Sequence, residues 1–94
     1  MLGINVTYIM KPGARAGFLE GIAACGVRKD VLQEEGCLQY DYFLPLEGED
    51  SVLLMEKWTS REAQKVHLTQ PHMAKIAALK EQFVADTKLE FYDL

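Results

Sequence analysis

The 94-residue sequence predicts a small α+β fold whose elements run β-α-β-β-α-α-β. Three observations carry this expectation. Segments near residues 3–11 and 37–44 alternate with the two-residue period of a strand, and 51–58 and 88–92 read as two further strands. Proline, glycine and polar clusters punctuate the chain between them. The stretches after the first and third strands instead carry apolar residues at helical spacing.

The elements follow in order. Ile4, Val6, Tyr8 and Met10 alternate with Asn5, Thr7, Ile9 and Lys11, which gives the first strand. Pro12-Gly13 ends it and opens a helix of roughly 13–35, closed by Gly36 after Glu34-Glu35. In the second strand Leu38, Tyr40, Tyr42 and Leu44 share one side, with Cys37 and Phe43 opposite. The polar turn from Pro45 to Asp50, which contains Gly48, makes a hairpin with the third strand. There Val52, Leu54 and Trp58 share a face, Glu56 joins them by the two-residue period, and Leu53 and Met55 take the other. Thr59 and Glu62 have capping-box spacing, so a short helix starts near Ser60. Pro71 interrupts it and suits the first turn of a further helix over 71–85. Lys88 to Tyr92 is the last strand.

With the two late helices counted as one broken crossover, the order is ferredoxin-like. The expectation is one domain over residues 1–94, a four-stranded antiparallel sheet with helices on one face. Strands two and three carry apolar side chains on both faces, yet the helices cover only one. A homodimer in which two sheets pack face to face is therefore expected.

Composition narrows the function. An apolar fraction of 49% and a charged fraction of 26% are those of a globular domain. A formal net charge of −4 leaves no basic face for nucleic acid. No apolar run reaches the roughly 18 residues of a membrane span, and no signal peptide is apparent at the N-terminus. Cys25 and Cys37 lack metal or redox spacing and read as reduced thiols of a cytoplasmic protein.

The stretch from Glu56 to Met73 holds the only tryptophan, Trp58, and both histidines, His67 and His72. His67 shares the inward helix face with Ala63 and Val66, so it is either a core histidine or a general acid–base. His72 follows Pro71 in a helix's first turn, where the helix dipole favours a neutral, proton-accepting imidazole. Trp58, at a strand end, is either core or a pocket wall, and Glu56 beside it is expected to pair with Lys or Arg. Gly13, Gly17 and Gly21 form a small-residue ridge on the first helix. That ridge serves either close backbone approach or room for a ligand. A transition-metal site would have to recruit a carboxylate or thiol from elsewhere to join the two histidines, and none is expected.

Four segments resemble the antibiotic-biosynthesis monooxygenase domain family, in particular its small quinol monooxygenase-like members. They are Met10-Lys11-Pro12-Gly13, Glu34 to Asp41, Glu56-Lys57-Trp58-Thr59-Ser60 and His67 to Met73. The resemblance implies a ferredoxin-like dimer of the α/β-barrel type. It also implies cofactor-independent oxidation of a small quinol or phenolic substrate by molecular oxygen. On that reading Trp58, His67 and His72 carry the chemistry, and Trp58, Leu54, Glu56, Gly17 and Met73 contact the substrate. Leu54 stands where polyketide-oxidising members have asparagine. Asn5 is shifted by one register from the asparagine of haem-degrading relatives, which turns it to the other face. The alternatives are an isomerase or signal-degrading enzyme for a phosphorylated or carbonyl metabolite, held at the Pro71-His72 helix start, and a non-catalytic dimeric binding module.

Overall fold

The computed structural model describes all 94 residues. Its strands are β1 (Leu2–Met10), β2 (Cys37–Phe43), β3 (Ser51–Trp58) and β4 (Val84–Asp93). The helices are α1 (Arg15–Cys25), α2 (Val27–Leu32), α3 (Arg61–His67) and α4 (Met73–Phe83). The sheet order is β2-β3-β1-β4, with every neighbouring pair antiparallel. This is the expected ferredoxin-like arrangement, with each crossover made of two helices.

The inner row of β1, Leu2, Ile4, Val6, Tyr8 and Met10, is buried throughout. Val52, Leu54 and Trp58 of β3 lie beside it in register, Leu2 opposite Trp58 and Val6 opposite Leu54. Phe18 and Ile22 of α1, Val27 and Val31 of α2 and Ile76 of α4 close this layer. Each of the first two pairs has four-residue spacing, so one stripe of each helix meets the sheet.

Three expectations need correction. The long first helix is two helices, because Gly26 takes a left-handed φ of 69° and ends α1. The second strand has an irregularity between Cys37 and Gln39. It brings Cys37 opposite Trp58 and leaves Leu38 about half exposed, so Cys37 and not Leu38 joins Tyr40 on the inner side. The N-cap of α3 is Ser60, whose Oγ accepts the Ala63 N–H at 3.1 Å, rather than Thr59.

The glycine ridge has the bland explanation. A side chain at Gly17 would meet the Phe83 ring at 2.8 Å, and one at Gly21 would collide with Leu79. The missing volume is filled by α4, and no ligand space lies there.

Candidate active site

Two loops and two helix ends bring the site together. Glu34 lies in the turn after α2, and that turn is tied to the strand–helix junction by the Thr59 N–H donating to the Gly36 carbonyl at 2.9 Å. His67 ends α3, and His72 caps α4 from the N-terminal side. Glu56 and Trp58 come from successive inward positions of β3.

His67 is 2% exposed and shares its Nδ1 with Glu34, at 2.9 Å from Oε2 and 3.1 Å from Oε1. The His72 Nε2 lies 2.8 Å from the same Oε2. With Glu34 accepting from both imidazoles, His67 carries a proton on Nδ1, and in the neutral ring its Nε2 lone pair is free. That Nε2 lies 4.0 Å from the Glu56 Oε1. The Trp58 indole N–H donates to the same oxygen at 3.0 Å, and its ring packs on the His67 ring with centroids 4.6 Å apart.

Glu56 is 7% exposed and has no lysine or arginine partner, which corrects the expected ion pair. Burial raises its carboxyl above the usual carboxylate range; the Trp58 N–H and His67 act against the rise, and Glu34 adds to it. Burial likewise pushes the Tyr40 and Tyr8 phenols well above their ordinary values.

His67 and Glu56 face a cavity of about 390 Å³ between the sheet and the late helices. Ile4, Val6 and Tyr8 form its floor, Met73 and Ile76 its roof, and Leu89 and Phe91 its side along β4. Lys65 and Lys80 stand among its polar residues, with the Lys80 Nζ 5.7 Å from the Tyr8 ring centre. The walls can hold an apolar ring while an imidazole and a carboxyl exchange protons with it.

Of the expected site residues, His67, Glu56 and Met73 line this cavity. Trp58 does not; it is fully buried, with His67 packed on its ring, so it supports the histidine instead of stacking on a ligand. Leu54 is fully buried core, and Gly17 packs on Phe83. His72 reaches the site through Glu34 and does not line the cavity. The start of α4 is thereby faced by a carboxylate, which disfavours a phosphate there. Asn5 lies away from the Trp58 face and donates to the Tyr92 hydroxyl at 3.0 Å. Sequence reasoning missed Glu34, whose contact with His67 spans 33 residues; its only signal was its place in the Glu34-to-Asp41 segment.

Fold and cavity together define a ferredoxin-like α+β protein with a buried cluster of imidazole and carboxyl groups between sheet and helices. Residues 1–79 match the family model described as antibiotic biosynthesis monooxygenase, and the chain belongs to that family. Family membership indicates a monooxygenase, and proteins of this family are typically dimeric. The fold is shared with Pseudomonas aeruginosa PA3566, at 22% identity and a TM-score of 0.84, covering 99% of this chain and 93% of that one. A protein described as antibiotic biosynthesis monooxygenase matches at 22% identity and a TM-score of 0.82, covering 100% and 98%. Mycobacterium tuberculosis Rv0793 matches at 21% identity and a TM-score of 0.82, covering 99% and 93%. No curated protein matches the sequence.

Proposed function

We propose that this protein is a monooxygenase that oxidises a small quinol or phenolic substrate with molecular oxygen and needs no cofactor. The observation that carries the reading is the Glu34–His67 pair, whose imidazole lines an apolar cavity in a chain of this family. Ground-state oxygen is a triplet and reacts slowly with closed-shell molecules. A phenolate donates one electron far more readily than a phenol. The required work is to bind the ring, remove its proton and exclude bulk water.

In this mechanism the His67 Nε2 takes a phenolic proton, and Glu34 stabilises the imidazolium through Nδ1–H. The phenolate gives one electron to oxygen, and the radical pair combines at a ring carbon to form a hydroperoxide. Loss of water leaves one oxygen atom on the product, a quinone from a phenol or anthrone and a hydroxyquinone from a quinol, and the other in water. Glu56, whose burial favours the protonated form, can supply the proton to the leaving hydroxide. The two free cysteines suit a cytoplasmic setting.

Oxygen uptake with a panel of benzoquinols, naphthoquinols and anthrones tests this reading. Uptake with at least one class is expected, with His67→Ala lowering kcat by about 10²–10⁴-fold. No uptake with any of them argues against it. An imidazole and a carboxyl 4.0 Å apart on one cavity also suit a proton-shuttling isomerase. Turnover of a carbonyl substrate without oxygen consumption would favour that second reading.

A further inference from the structure

We propose that Glu34, His67 and His72 form a binding site for a divalent transition-metal ion of the zinc class, and that its occupancy switches off the proton-transfer function of His67. The site stands on geometry alone, whereas the switch rests on the reading of His67 as the base.

The donor atoms, one carboxylate oxygen and two imidazole nitrogens, all lie within 4.8 Å of one another. Two histidines and one glutamate form a donor set that suits zinc and related borderline ions. The three residues come from separate places: the turn after α2, the end of α3 and the start of α4. Their side chains are 10%, 2% and 17% exposed, so the position is shielded without being sealed. Both nitrogens already converge on a single oxygen, the Glu34 Oε2, at 2.9 and 2.8 Å. Metal–ligand distances of roughly 2.0–2.2 Å would be reached by withdrawal of that carboxylate and a small adjustment of the two rings.

Charge points the same way. Glu34 is a sheltered carboxylate beside His67 and His72, and no lysine or arginine lies within ion-pair distance of it. Buried charges are ordinarily paired or bound to a metal. A divalent cation held by Glu34 and both imidazoles would supply a full positive charge against that carboxylate. The support beyond the ligands also fits. With Nδ1 on a metal, the His67 Nε2 becomes N–H, and the Glu56 oxygen 4.0 Å away is placed to accept from it after a small closure. Glu34 also lines a small opening of about 110 Å³ with Glu35, Ala63, Val66 and Gln70, separate from the larger cavity.

Occupancy changes the chemistry of His67 in a defined way. The Nδ1 proton leaves on binding, and the remaining ring proton sits on Nε2. That nitrogen then donates and no longer accepts, so it cannot deprotonate a phenol. The ion would act as a reversible inhibitor.

Titration of tag-free protein with Co²⁺ tests the site. The expected result is a saturable visible absorption of low-coordinate Co²⁺ at one ion per chain, bleached by Zn²⁺. Glu34→Gln and His72→Ala each weaken binding by at least about tenfold, with unchanged circular dichroism. Absence of the absorption overturns the site, as does undiminished binding by both variants, which would leave the cluster as hydrogen bonds only. Zn²⁺ that binds without lowering oxygen uptake overturns the switch alone. Co²⁺ binding by a protein that consumes no oxygen with any quinol leaves the site standing and removes the oxygenase reading.

Discussion

At the scale of the residue, the site is built around two acidic side chains whose only basic neighbours are histidines. Glu56 is the sharper case, because it is buried on β3 with only the Trp58 N–H and a distant imidazole to receive its charge. Its raised folded value sets the sign of a pH effect. As pH climbs from the ordinary carboxylate range, the unfolded chain releases this proton first, and the folded state binds more protons. Stability from this group therefore falls as pH rises through that interval and levels off above the folded value. Urea midpoints measured across the interval should show this decline in the native protein and a flatter profile in Glu56→Gln. Trp58→Phe removes the indole N–H that the Glu56 carboxylate accepts and part of the surface under His67. We expect a cost of about 2 kcal/mol by chemical denaturation, and a Glu56 carboxyl displaced still further upward by NMR titration. The sequence marked Trp58, Glu56 and His67 correctly as neighbours, since a two-residue period and a capped helix place them together. It left the tryptophan open between core and pocket wall, because strand periodicity fixes a face but not which aromatic ends beneath another ring.

At the scale of the element, most of the fold was legible and its failures were local. The third strand falls at Ser51–Trp58 as expected, and the alternation of Ile4, Val6, Tyr8 and Met10 is the inner row of β1. The first helix was overextended because helical spacing continues across Gly26, whereas the chain turns there on one positive φ. An irregularity at Leu38 is invisible to a period of two, and it exchanged the faces of Cys37 and Leu38. These features give two contrasting predictions. A methyl group added at Gly26 would meet nothing within 4 Å, so Gly26→Ala costs only the strain of the left-handed backbone, about 1 kcal/mol by urea unfolding. Gly21 abuts Leu79, so Gly21→Val overpacks the α1–α4 contact and costs about 2 kcal/mol by thermal or urea unfolding. Glu34 escaped the sequence for a related reason. Its role depends on two turns meeting in space, and no local pattern encodes that meeting.

At the scale of the whole molecule, the sheet has one face covered by four helices and one face left open. On the open face Leu53 and Met55 of β3 and Ile9 of β1 are half-buried, and Phe43 of β2, opposite Leu53, is exposed. Asp41, Lys88 and Glu90 lie around them. An apolar centre with a charged margin is the pattern of an association surface. It lies on the opposite side of the sheet from the cavity, so pairing of two open faces would leave both cavities reachable. Light scattering at micromolar concentration should give the mass of a dimer. Leu53→Asp, placed at the middle of this face, should shift the mass towards the monomer while the circular dichroism stays that of the native fold. Because a chain of this length buries little surface alone, the dissociated variant should also unfold at lower urea, and its midpoint should lose its dependence on protein concentration. A native protein that scatters as a monomer would instead mean that the open face is simply tolerated, and that the cavity is complete within one chain.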